Sequence, residues 1–155
     1  MNLGVIQVLL GMLIGLFDTP AIAASFSALN HPYYVVLTGE MPHVSSAMRL
    51  ELLKVTCTAT IIVAILALLV VTTGVAHLCK LDVINRKIND VKLGVFLVLT
   101  NALALGAAFL TPIHWNNEPE ALGVARSVIE ANYLLSLLFL IISRAKLVNA
   151  KKTPA

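Results

Sequence analysis

Charge is scarce in this chain. Only 12% of its 155 residues are Asp, Glu, Lys or Arg, against roughly 25% in a soluble domain, whose surface must face water. That shortage argues against an ordinary water-soluble globule. Hydrophobic residues make up 59% and the mean hydropathy is +0.91. Such a chain needs a solvent that makes no demand for charge, and lipid is that solvent. The length suits one domain, residues 1–155.

Cysteine is almost as rare. Cys57 and Cys79 flank one long apolar run. As a helix rising ~1.5 Å per residue, that run separates them by ~33 Å, which excludes an internal disulfide. No Cys or His pair has metal-ligand spacing such as CxxC. No internal repeat and no low-complexity stretch is visible. The net charge of +3 raises the question of nucleic acid. The basic residues form no stripe with interleaved aromatics, so nucleic acid is not an expected partner.

What the chain does have is long oily stretches. Crossing ~30 Å of hydrocarbon takes ~20 mainly apolar residues. Four segments qualify, at about 3–29, 55–76, 93–113 and 127–143. The expected fold class is therefore all-α, an integral membrane four-helix bundle. The first segment lacks a basic lead-in and is interrupted by Asp18 and Pro20, so it reads as a retained helix and not a cleaved signal. Pro20 is expected to kink that helix or end its first part.

The basic residues give a direction. Lys80, Arg86, Lys87, Lys92, Arg144, Lys146, Lys151 and Lys152 flank the middle connection or occupy the tail. The positive-inside rule puts those regions, and with four spans both termini, in the cytoplasm. The expected localisation is the cell membrane, multi-pass. Ser45 or Ser46 can cap a helix starting near Ala47. Gly11 and Gly15 form a GxxxG on the first span, and Gly94, Ala102, Gly106 and Ala107 offer small residues on the third, as packing faces do.

Several polar residues are candidates for chemistry. Asp18 sits ~22 Å along the first span. A carboxylate in hydrocarbon costs roughly 2.5–3.5 kcal/mol on the mildest scale, so it should face the interior with a partner or stay protonated. It is either a proton-handling or ligand-contacting acid, or a cap on the segment after Thr19-Pro20. Glu130 has Arg126 four residues before it, which makes a rim ion pair. Alternatively, Glu130, Asn132 and Tyr133 begin a polar pocket. Asn101 lies mid-span and is either a ligand contact or helix glue. Arg49 and Glu51 open the second helix two residues apart, so they do not face each other; either both lie at the surface or one points inward. His31, His43 and His114 fall on the outer side and His77 on the inner. None has ligand spacing, so no metal or other cofactor is expected, and the histidines read as bonded to water or backbone. His114, Asn116 and Asn117, beside Trp115, can lid a cavity or form a simple turn.

The order of features carries a likeness. A Gly-rich first helix precedes His31-Pro32, a second helix follows Met48-Arg49, and the third ends in a stretch from His114 to Asn117 before a fourth helix. This layout resembles the anthrone oxygenase-like family of small four-helix membrane proteins. The resemblance implies a cavity for a flat aromatic substrate and oxygenation without a tightly bound metal, with His31, Arg49, His114 and Asn117 at the family's positions. A second likeness, to styrene oxide isomerase, lacks the haem-binding histidine, because Arg49-Leu50-Glu51 stands in its place.

Two classes of function follow. One is a membrane enzyme acting on a lipophilic or aromatic substrate in a polar pocket of the outer half, with Asp18, Arg49, His114 and Glu130 as catalytic candidates and His31, Asn101, Asn117 and Tyr133 as ligand contacts. The other is a non-catalytic subunit or binding protein whose polar residues are glue. A homo-oligomer or a membrane partner subunit fits either. A carrier is a third class, which four spans without an inverted repeat disfavour in one subunit.

Overall fold

The computed structural model describes residues 2–30, 46–81, 88–110 and 119–152. All four pieces are helical: α1 (Leu3–Asn30), α2 (Ser46–Leu78), α3 (Asp90–Leu110) and α4 (Pro119–Lys152). Each contains a stretch long and apolar enough to cross a membrane, namely Leu3–Ser27, Leu50–Leu78, Asp90–Leu110 and Arg126–Val148. These bounds overlap the four expected spans. The architecture fits a multi-pass membrane protein. Helices satisfy every backbone group internally, which is what hydrocarbon requires.

Local chemistry sets the helix ends. The Gly4 N–H donates to Oδ1 of Asn2 at 3.1 Å, and the Val91 and Lys92 N–H groups donate to Oδ1 of Asn89 at 3.0 and 3.2 Å. Each asparagine caps the helix that follows it. After α2, Lys80 takes a left-handed φ of 54° and the Leu81 N–H donates to the Ala76 carbonyl at 2.9 Å. That is a Schellman closure with lysine where glycine is usual. Helix α2 begins at Ser46, one residue before the expected start.

Pro20 neither ends nor splits α1, which runs unbroken from Leu3 to Asn30. Proline removes the N–H that the Leu16 carbonyl would accept. One lost bond does not outweigh the packing of the whole helix. The Thr19 hydroxyl donates to the Gly15 carbonyl one turn back. With the helix continuous, Asp18 caps nothing.

The helices close a ring in which α1 packs on α2 and α4, and α3 packs on the same two. The α1–α2 seam is the tightest. A Cβ on Gly11 would lie 2.9 Å from the Ala67 carbonyl oxygen and the Val71 nitrogen. Gly15 is a correction to the expected GxxxG face: a Cβ there would meet only Ala67 Cβ at an ordinary 3.9 Å. The partner glycines of the seam are instead Gly4 and Gly74. On α3, Gly94 meets Leu140 and Ala107 is buried, while Ala102 and Gly106 face outward.

Two apolar clusters fill the interior. Leu10, Ile14, Val63, Ala67, Val70, Leu93, Leu97 and Phe139 form the larger. Ala21, Ala59, Ala104 and Ile129 form the smaller, nearer the other end. Leu16, Leu68, Leu99 and Leu134 are more than half exposed. Large apolar side chains therefore cover the outside as well as the core.

Candidate functional site

Polar side chains collect in two groups with the larger apolar cluster between them. The first group closes one end of the bundle and draws one residue from each helix. Oδ2 of Asp90, at the start of α3, accepts a hydrogen bond from Nε2 of Gln7 at 3.0 Å. Nε2 of His77 lies 3.0 Å from the same oxygen, and Nζ of Lys146 lies 3.7 Å away. Nζ of Lys146 is also 3.0 Å from Nε2 of His77. A protonated Nε2 donates to Asp90, whereas an unprotonated one accepts from Lys146. It cannot do both at once.

His77 thus departs from its expected role as a histidine bonded to water or backbone. Neither Asp90 nor Gln7 is a candidate from sequence, and Lys146 bears there only on topology. One signal was available. Gln7 is a polar residue inside an otherwise apolar run, and it is now 1% exposed.

The second group lies deeper. Asp18 on α1 is 1% exposed, and Asn101 and Asn132 are equally buried. Nδ2 of Asn101 donates to Oγ of Ser136 at 2.9 Å and to the Leu97 carbonyl at 3.1 Å. The Ser136 hydroxyl donates to the Asn132 carbonyl at 2.6 Å. Nδ2 of Asn132 reaches the Ile14 carbonyl on α1 at 3.2 Å. A polar chain therefore crosses from α3 through α4 to α1. The Asn132 side chain and the Ala64 backbone approach Asp18, but neither completes a hydrogen bond. Both carboxylate oxygens of Asp18 and Oδ1 of Asn132 are buried without a partner among the described residues. Buried polar atoms are nearly always paired, so these three stand out.

Asn101 is thus joined to α1 through Ser136 and Asn132, and Asp18 lies beside Asn132 without a bond to that chain. The spacing of Asn132, Ser136 and Ser143 along one face of α4 is the sequence signal that marks these serines. Tyr133 is half-buried, and Glu130 is exposed on the outside of α4. Glu130 therefore stands apart from the buried group. The guanidinium of Arg126 lies 5.7 Å from the centre of the Phe109 ring. Arg49 lies in the first turn of α2. His31, His114 and Asn117 lie outside the described residues, as do His43 and Trp115.

No family model, curated protein or solved structure matches this chain. Among the described residues, no three His, Cys, Asp or Glu side chains gather as metal ligands. Cys57 is buried and Cys79 exposed, and both are free thiols.

Proposed function

We propose that this chain is a multi-pass protein of the cell membrane, with both termini in the cytoplasm, that takes a lipophilic small molecule into its interior beside Asp18. The observation that carries this reading is the pair of Asp18 oxygens, buried with no hydrogen-bond partner among the described residues. An ionisable residue inside a membrane span is expensive, and its usual justification is a function. Asn101 and Asn132 supply further polar atoms at similar burial. A few convergent polar groups within apolar walls are the common form of a small-molecule site. By the direction of the basic residues, Asp18 falls in the outer half of the bundle.

The family resemblance extends this reading to oxygenase-like chemistry on an aromatic substrate. His31, Arg49, His114 and Asn117 would then serve the same site from the outer side, with Glu130 and Tyr133 as its rim on α4.

Titration of the detergent-solubilised protein with hydroxyl-bearing aromatics tests the site. Saturable thermal stabilisation is expected, lost in Asp18→Leu. Equal stabilisation of that variant, or none in the unmutated protein across the series, sinks the proposal.

A second reading has its own support. The hydrogen-bonded chain from Asn101 to the Ile14 carbonyl does what helix glue does. On that reading the protein is a non-catalytic subunit. Purification with a fixed stoichiometric partner, with no small-molecule binding, would favour it.

A further inference from the structure

This inference rests on the reading of Asp18 as a ligand site and specifies the ligand. From the atoms left unpartnered, we infer that the molecule it takes carries an ammonium group on a lipophilic body.

Acceptors outnumber donors around Asp18. Of the five buried side-chain atoms without a partner among the described residues, three belong to this site, Oδ1 and Oδ2 of Asp18 and Oδ1 of Asn132; the other two are Oε1 of Gln7, beside Asp90, and Oγ of Ser143, eleven residues past Asn132 on α4. With Asp18 ionised all three accept; with it protonated the group gains a single O–H donor, still fewer donors than acceptors. Three buried hydroxyls of the surrounding helices are spent on their own backbones. Ser25 donates to the Ala21 carbonyl, Thr60 to that of Cys57, and Ser136 to that of Asn132. One N–H of Asn132 is committed to Ile14. The site has a surplus of acceptors, so it calls for a ligand that brings several donors. A primary ammonium brings three.

Charge points the same way. His77 and Lys146 are held at Asp90, beyond Ile14, Leu10 and Phe139 of the larger cluster. Arg126 precedes Asn132 by six residues, ~9 Å along α4, and lies over Phe109. No cationic side chain among the described residues hydrogen-bonds to Asp18. Intramembrane acids commonly serve as counter-ions to a bound cation. A hard metal ion needs about six oxygen ligands, twice what these three atoms supply. An organic cation needs only hydrogen-bond acceptors and apolar walls. The smaller cluster, Ala21, Ala59, Ala104 and Ile129, provides such walls one turn further along α1.

The pair forms with its atoms in balance. If the amine arrives neutral and Asp18 protonated, the carboxyl O–H breaks, the nitrogen lone pair takes the proton, and an ammonium–carboxylate pair results.

The test uses two probes of one shape, 4-butylbenzylamine and 4-butylbenzyl alcohol, titrated into the full-length protein in detergent micelles. The amine is expected to bind at least tenfold tighter than the alcohol, and Asp18→Asn is expected to erase that preference. The ratio in the unmutated protein decides by itself if the variant fails to fold. Equal or tighter binding of the alcohol overturns the cationic ligand and leaves the lipophilic-ligand reading standing. Binding of neither probe overturns this inference. If the hydroxyl-bearing aromatics also fail, the lipophilic-ligand reading falls with it. An Asp18-dependent stabilisation by sodium chloride over choline chloride overturns the inference in favour of an alkali ion.

Discussion

Gly4 and Gly74 meet backbone to backbone. A Cβ on Gly4 would lie 2.8 Å from the Gly74 carbonyl oxygen, and one on Gly74 would lie 2.9 Å from that of Gly4 and 2.8 Å from the Val8 nitrogen. No rotamer relieves a clash with backbone, so a side chain here must part α1 from α2. Gly74→Ala is expected to destabilise the bundle by about 1–3 kcal/mol, the usual cost of overpacking. Gly106→Ala, on an outward face with nothing within 4 Å, is expected to be neutral or to stabilise by up to ~1 kcal/mol. Thermal unfolding in detergent compares the two, and an equal cost for both refutes the close seam.

Asp90 is the point at which side chains from all four helices meet. Asp90→Ala strands Gln7, His77 and Lys146 without their common acceptor. A loss of about 2 kcal/mol is expected, in the range for hydrogen bonds to a charged group. Lys146→Met should cost under ~1 kcal/mol, because the lysine side chain is 39% exposed and solvent screens it. Denaturant unfolding measures both. A larger loss from the lysine variant would reverse the assigned order.

Ser136 links Asn101 to Asn132. Ser136→Ala leaves Nδ2 of Asn101 with the Leu97 carbonyl, a bond within its own helix. The expected loss is about 0.6 kcal/mol, the mean for interhelical hydrogen bonds within membranes. A double-mutant cycle with Asn101→Leu isolates the pair. Additive losses would show that the bond contributes nothing.

The two thiols report topology. Cys79 is exposed just beyond α2, and Cys57 is buried. A membrane-impermeant maleimide should label Cys79 in inverted vesicles and leave it unlabelled in intact cells. Labelling from outside would reverse the proposed orientation. Cys57 should stay unlabelled until the protein is denatured.

The sequence alone determined the four helices, their approximate spans and the rarity of Asp18, because each follows from the energy of moving side chains and backbone between water and hydrocarbon. Helix rotation was not legible. These segments are apolar all round, so hydropathy does not distinguish an inward face from an outward one. Gly15 and Gly106 were expected on packing faces for their size alone, yet neither closes a tight seam. Only the tertiary structure decided that Gly74 faces Gly4, that Asn132 and Ser136 bridge Asn101 to α1, and that Gln7, His77, Asp90 and Lys146 share one corner. Those pairings depend on the fit between helix surfaces, because within lipid the oiliness of a face no longer selects its neighbour.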